Sequence, residues 1–479
     1  MNGARRRGRI EVRADDPSLT GHGGLVVIGD LAEKLDLIAL IDGEIDQERR
    51  ARPVKTRRRG VSPGELVVSL AECQLVGGAF FDHLEDQRAD LAGAVLRAVA
   101  EVPSASAALQ NAKRFRRVHC QRVERAIATA GQRLDIALGR DPGEPVTVDL
   151  DATQITVYGR HKEGAARCRT GDVSYAPHLA FWAQRGRALT GELVGGNQER
   201  LSGRESAKLA SRAIGLLPDG HGPVTFRVDS AYYAIELLER FRRERARFTV
   251  SMPRSTAMWT ALGRIAESAW QGALDMEGGQ VAETVYRPGG WRHEPLRLIV
   301  RRVPFTAERI ARLKGSRRLQ TIHPEQLQMA LDGTVDSVYG YSFILTDIPH
   351  QHTAWVEHFH RHRAQIEERL KDTKTGQALR HLPSGEINAN RVWLTSAMLA
   401  LNLTAFCCDL TPAAAASGNA PDKRTPLRRH AATLRRLLFN VPARIIRTGR
   451  RIILRLPAGY PHADTFQQTL DAIYTLAPP

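Results

Sequence analysis

Apolar residues recur at helical spacing through most of the first 140 positions, switch to strand alternation at Pro145, and return to helical spacing near residue 355. Residues 25–41 place apolar positions around a Gly29-Asp30 break, which predicts a short strand or turn and then a helix from about Leu31. Ser62-Pro63-Gly64-Glu65 reads as an N-cap, Pro at the first helical position and Glu at the third. The helix it starts runs through Leu66, Leu70 and Leu75 to Gly77-Gly78. Pro103-Ser104 opens one or two further helices that end near Leu138, with basic residues at their front. Two helices across a tight break, the later one basic, predict a helix-turn-helix-like module.

From Val146 the alternation puts Val146, Val148 and Leu150 on one side of a strand and Thr147, Asp149 and Asp151 on the other. Strands over 178–184 and 188–194 follow, joined by Arg185-Gly186-Arg187 as a hairpin turn. Next come a helix over about 204–217, a strand over 224–228 ending at Asp229, another helix, and a strand over 247–252. Helical period is then lost until 338; β-like runs such as 296–303 recur, Trp259, Trp270 and Trp291 stand among them, and 341–346 is a strand that resumes the core. A helix over 355–375 carries His360, Arg363, Glu367, Lys371 and Lys374 along one face, a carboxylate between cations one turn away. The uncharged run 392–408 is too short, and with Thr395, Ser396, Asn402 and Thr404 too polar, for a membrane span; it predicts a buried helix.

At 479 residues the chain exceeds one compact core, and its formal charge of +17 selects a polyanionic partner, DNA ahead of membrane. The charge is concentrated. Seven of the eleven residues 49–59 are Lys or Arg, including Arg57, Arg58 and Arg59, which suits an arm lying along phosphates. Residues 423–455 hold eleven Lys or Arg and no acid, and end in a hairpin turning at Thr448-Gly449 with Arg450 and Arg451 beside the turn. Five cysteines, an odd number without C-x-x-C spacing, predict reduced core thiols and a cytoplasmic protein. No apolar stretch follows the N-terminal arginines as a secretory signal requires, and no histidine cluster calls for zinc.

Written as a pattern, the charged face of the 355–375 helix is H-x2-R-x3-E-x6-K. It resembles the Y-x2-R-x3-E-x6-K signature of DDE transposases of bacterial insertion sequences, the group-one DDE transposase domain, with His360 where the family has Tyr. The resemblance implies that Glu367 is the third catalytic carboxylate and that Arg363 and Lys374, with His360 and Lys371 on the same face, contact DNA phosphates. In the family the first acid precedes a small residue and Thr, which selects Asp151-Ala152-Thr153 and keeps Asp149 as the alternative. The second precedes a small residue and an aromatic, matched by Asp229-Ser230-Ala231-Tyr232.

The implied fold is α/β: a ribonuclease-H-like catalytic domain over 141–410, interrupted by a mostly β insertion at about 253–338. A basic, mainly helical DNA-binding region over 1–140 precedes it, and a linker with a basic C-terminal region over 411–479 follows. The order strand, strand, strand, helix, strand agrees with that fold and makes the first and fourth strands parallel neighbours; the 138 positions from Asp229 to Glu367 require the insertion. The implied activity is metal-dependent cleavage and transfer of double-stranded DNA at terminal inverted repeats and into a target. It implies two Mg²⁺ ions, with Mn²⁺ as a substitute, held by Asp151, Asp229 and Glu367, and a homodimer in the synaptic complex of a bacterial, nucleoid-associated protein. A metal-dependent nuclease of the same fold and a non-catalytic DNA-binding protein derived from a transposase are the alternatives. Three converging acids argue against the latter, because without metal they repel one another. Trp259, Trp270 and Trp291 are candidate stacking partners for an extruded terminal base.

Overall fold

A computed structural model describes residues 10–55, 59–159, 161–313, 315–364, 379–411 and 430–477. Its centre is a large mixed sheet. Strands β1 (Val146–Ala152), β2 (Val173–Trp182) and β3 (Arg187–Gly195) form an antiparallel run, and β4 (Val224–Val228) and β5 (Arg247–Ser251) continue it in parallel on the other side of β1. Their spatial order is β3-β2-β1-β4-β5. The turn from β2 to β3 closes on Gly186 at φ 58, the left-handed region that Gly enters at low cost.

Beyond β5 the same sheet goes on. Strands β6 (Gln280–Tyr286), β7 (Leu296–Thr306) and β8 (Ser337–Thr346) join it in the order β5-β8-β7-β6, all antiparallel. The sequence pattern predicts a subdomain set into the core and a core strand resuming at 341. That strand is β8, which meets β5 through Ile344, Leu345 and Thr346, but it begins at Ser337 and pairs along its whole length with β7, so the insertion extends the same sheet. The physical reason is that unpaired strand groups at the edge of β5 need partners, and β8 supplies them.

Helices cover both faces. Gly203–Ile214, capped by Ser202 and Glu205, and Ile235–Arg243 bury the side carrying Val146, Val148, Leu150, Phe226 and Val228. Over the strands from β4 to β8 the opposite side is covered by helix Thr353–Arg361, whose Val356 packs on Ile299 and Ile344. Thr147 and Asp149, which alternation alone would leave on an open face, are buried too, Thr147 bonded to Gln184 and Asp149 to Arg227.

The flanking regions form one helical body. Helix Pro63–Val76 starts at the Ser62–Glu65 capping box and ends at Gly77, φ 110. Helices Ala105–Arg114 and Arg117–Ala137 follow, and the long helix Ile387–Leu410 runs buried through the middle, packing on residues of β2 and β3. The last is longer than the uncharged run suggests and is long and apolar enough to cross a membrane, but it is buried inside the protein, as the sequence predicts. Arg117–Ala137 buries Val123, Ala126, Ile127, Ala130 and Leu134 in this core and keeps Arg117 and Arg125 exposed. The C-terminal hairpin, Ala443–Thr448 and Arg451–Arg455, pairs with Leu19–Thr20 in a separate three-stranded sheet, and helix Ala463–Thr475 packs on Leu25–Lys34. Regions 1–140 and 411–479, distinct in composition, thus share a single core with residues 387–410.

Candidate nucleic-acid processing site

The two upstream acids come together through register. Because β1 and β4 are parallel with Leu150 opposite Val228, the next residue on each strand, Asp151 and Asp229, sits at the same end of neighbouring strands. Each is half-buried, and each carboxylate accepts a main-chain hydrogen bond, Asp151 from Ala152 and Asp229 from Ser230. Arg363 Nη1 lies 3.6 Å from Asp151 Oδ2. A cleft of about 280 Å³ opens beside Asp229, walled by Ser230, Ser251, Arg254, Arg301, Glu357, His360, Arg361 and Arg363. It is strongly cationic.

Asp149 is placed differently. It is only 2% exposed, and Arg227 grips both of its oxygens, Nε to Oδ1 at 2.7 Å and Nη2 to Oδ2 at 2.7 Å. Burial pushes its carboxyl up while Arg227 pulls it back. Asp149 is thus a buried ion-pair partner two positions before Asp151, a difference in surroundings that alternation does not show.

Behind the acid pair Tyr232 is fully enclosed and its hydroxyl lies 2.7 Å from His178 Nδ1. His178 Nε2 is 2.9 Å from the Gln198 carbonyl, which can only accept; Nε2 therefore carries the hydrogen, Nδ1 accepts, and the phenol donates. Burial and then the negative charges of Asp151 and Asp229 push the Tyr232 hydroxyl well above its ordinary range, so it stays protonated.

His360 departs from the phosphate contact that its place in the signature implies. It is 6% exposed, and its ring nitrogens bond Ser251 Oγ at 2.9 Å and Thr249 Oγ1 at 2.8 Å. Burial first, then the charges of Arg363, Arg227 and Arg301, depress it to about 3, so it is neutral at any physiological pH. It anchors its helix to β5 instead of facing solvent. Glu357, one turn earlier and completely buried, is held by Arg301 at 2.7 Å and Arg361 at 3.2 Å.

Glu367, Lys371 and Lys374 lie outside the described residues, as do Arg57 and Arg58. Arg59 is exposed and lines a second cleft of about 770 Å³ with Arg88 and Arg97. Arg450 and Arg451 are exposed at the tip of the C-terminal hairpin. Among the three tryptophans, Trp291 is buried with Nε1 donating to the Glu294 carbonyl at 2.9 Å, Trp259 packs edge-on against Phe343 and Tyr341, and Trp270 stacks under Arg302 at 4.1 Å. Each has a packing role. Sequence reading missed Arg227, His178, Arg301 and Glu357; the one available signal was that Arg227 stands two places before Asp229 as Asp149 stands two before Asp151. Among the described residues no three His, Cys, Asp or Glu cluster as metal ligands; the described part of the site contributes two hard carboxylates, the donor type that Mg²⁺ takes.

A mixed α/β sheet thus brings two aspartates to the ends of adjacent parallel strands, one of them on the wall of a cleft lined with arginines. The sequence profile of the transposase DDE domain group 1 matches residues 2–312 and 323–478, so the chain belongs to that family of transposases. No curated protein matches it. Among solved structures it is similar to a piggyBac transposase in a synaptic complex with hairpin DNA, at 10% identity and a TM-score of 0.36, over 81% of this chain and 75% of that one.

Proposed function

We propose that the protein is the transposase of an insertion sequence, which binds terminal inverted repeats and performs cut-and-paste transposition. The observation that carries this reading is the side-by-side placement of Asp151 and Asp229 in a chain of the DDE family. The strand order β3-β2-β1-β4-β5, antiparallel and then parallel, supports a ribonuclease-H-like catalytic core.

In this reading Asp151, Asp229 and Glu367 hold two Mg²⁺ ions, for which Mn²⁺ substitutes; when bound, these supply the charge neutralisation that in-line attack on a phosphodiester needs. The main-chain amides of Ala152 and Ser230 fix the two carboxylates. Arg363 stands beside Asp151, where it can orient a phosphate. Water attacks the element end to leave a 3′-OH, which then attacks the target strand in the same site. Arg59, Arg450 and Arg451, all exposed, hold DNA backbone without reading sequence, and Lys371 and Lys374 of the family signature add to the grip. Two copies act together, one at each element end, in the bacterial cytoplasm.

The test uses the full chain, Mg²⁺ and duplexes carrying the element ends. Asp151→Ala, Asp229→Ala and Glu367→Ala should each abolish cleavage while leaving end binding nearly intact. Retained cleavage in any one removes that residue from the triad.

A further inference from the structure

We infer that Asp149, Arg227 and His360 are positioning residues, which hold the acid pair in register and fasten the helix leading to Arg363 against it. The inference rests on the reading of Asp151 and Asp229 as metal-holding acids. Alternation puts Asp149 on the face of Asp151 and Arg227 on the face of Asp229, and the parallel register sets Asp149 opposite Arg227. Each acid therefore has a charged residue two positions before it on its own strand, and these two form the two-pronged pair described above. Both are buried, at 2% and 4% exposure.

Arg227 has a further donor, and it goes to the helix. Nη1 bonds the Phe359 carbonyl at 2.9 Å, and the guanidinium lies 5.0 Å from the Phe359 ring centre. The next residue is His360, pinned to β5 through Thr249 and Ser251. A neutral imidazole has one donor and one acceptor nitrogen, and each faces a hydroxyl that can play either part. Residues 359 and 360 are thus tied to β4 and β5 respectively, and one turn later Arg363 reaches Asp151. Only a planar fork can serve Asp149 on two prongs and Phe359 on a third; a lysine ammonium cannot. Filling this space with apolar side chains would avoid the desolvation of two charges, but it would give the helix no directional tie.

The experiment measures binding of Mn²⁺ alone to the full chain, by the disappearance of the free-ion paramagnetic resonance signal, together with the melting temperature. Arg227→Lys and Asp149→Asn should each weaken Mn²⁺ binding, by roughly ten- to a hundredfold as is typical of residues that orient metal ligands. His360→Gln, which keeps a donor and an acceptor, should stay closer to wild type than His360→Leu. Wild-type Mn²⁺ affinity in both Arg227→Lys and Asp149→Asn overturns the inference, as does binding that falls only in proportion to unfolded protein. If Arg227→Lys does not fold, the nearly isosteric Asp149→Asn decides alone. Failure of the underlying reading looks different: Mn²⁺ binding that is absent in wild type, or unaltered in Asp151→Ala, would sink the metal site itself.

Discussion

Two acid–arginine clusters, one in each half of the molecule, use the same side chains for different ends. In the helical body Asp135 and Asp409 share Arg187 and Arg140, with contacts of 2.7–3.0 Å that join β3 to helices Arg117–Ala137 and Ile387–Leu410. In the sheet half Asp149 and Arg227 join two strands and a helix, but the acids one alternation further on, Asp151 and Asp229, stand half-buried at strand ends beside a cleft. The helical cluster is closed: each carboxylate it buries has a guanidinium to answer it, which is the condition for placing charge in a low-dielectric interior. In the sheet cluster Asp149 is enclosed with Arg227, while Asp229 lines the cleft. What distinguishes Asp229 is its place on the wall of that cleft, which Asp135, Asp149 and Asp409 do not line.

The largest expected effect sets one acid from each cluster against the other. Asp229→Asn should slow strand cleavage on the order of a thousandfold, since metal-borne charge stabilisation is worth several kcal/mol, whereas Asp135→Asn should leave the rate per folded molecule unchanged. Equal decreases in a gel-based nicking assay would erase the distinction. Stability should run the other way. Arg187→Ala strips a buried guanidinium from two acids and should cost about 3–5 kcal/mol in urea unfolding, while Asp151→Ala should be near neutral, because it relieves repulsion between neighbouring acids.

Acid should act oppositely on the two halves. Glu72, wholly buried in the helical body with Ala98 N donating at 2.9 Å, is pushed by burial from 4.5 to about 7. Its folded state holds a proton that the unfolded chain has released, so this contribution to stability is present below pH 4.5 and disappears as pH rises to about 7. The shift corresponds to on the order of 3 kcal/mol, and Glu72→Gln should abolish that slope in melts taken across the window. His360 has the reverse sign: depressed from 6.5 to about 3, it makes the folded state lose stability as pH falls through that range. His360→Gln should flatten only the acid side. The smallest effect concerns the C-terminal hairpin. Arg450→Ala with Arg451→Ala should lower the slope of log K against log salt by roughly 0.9 for each phosphate that the hairpin no longer neutralises, and an unaltered slope would make the hairpin a structural edge only.

Much of the sheet is legible in the sequence because its strands carry period-two patterns and end in recognisable turns. Asp151 and Asp229 can be picked out because each sits at the end of an apolar strand in a short motif, and the parallel pairing that follows from the strand order makes them neighbours. Alternation does not choose between Asp149 and Asp151, since both point the same way, and only the motif favours Asp151; the pairing of Asp149 is not legible at all, because its partner Arg227 is 78 positions away along the chain and directly opposite it in space. The charged pattern around His360 suggests a solvated helix face, whereas in the fold β5 lies against it.

By itself the sequence determined the local matters: where helices begin, through caps such as Ser62–Glu65, which strands alternate, where positive charge accumulates, and which family signature the acids belong to. These depend on residues within a turn or two of each other, so a linear pattern carries them. The tertiary structure alone decided that Leu19–Thr20 pairs with Ala443–Thr448, that the insertion extends the central sheet through β8, that the apolar residues of helix Arg117–Ala137 join the core of the helical body, and that Asp149 is the aspartate gripped by Arg227. Burial and ion pairing are properties of what comes to lie across from a residue, and a strand's sequence contains no record of the strand beside it.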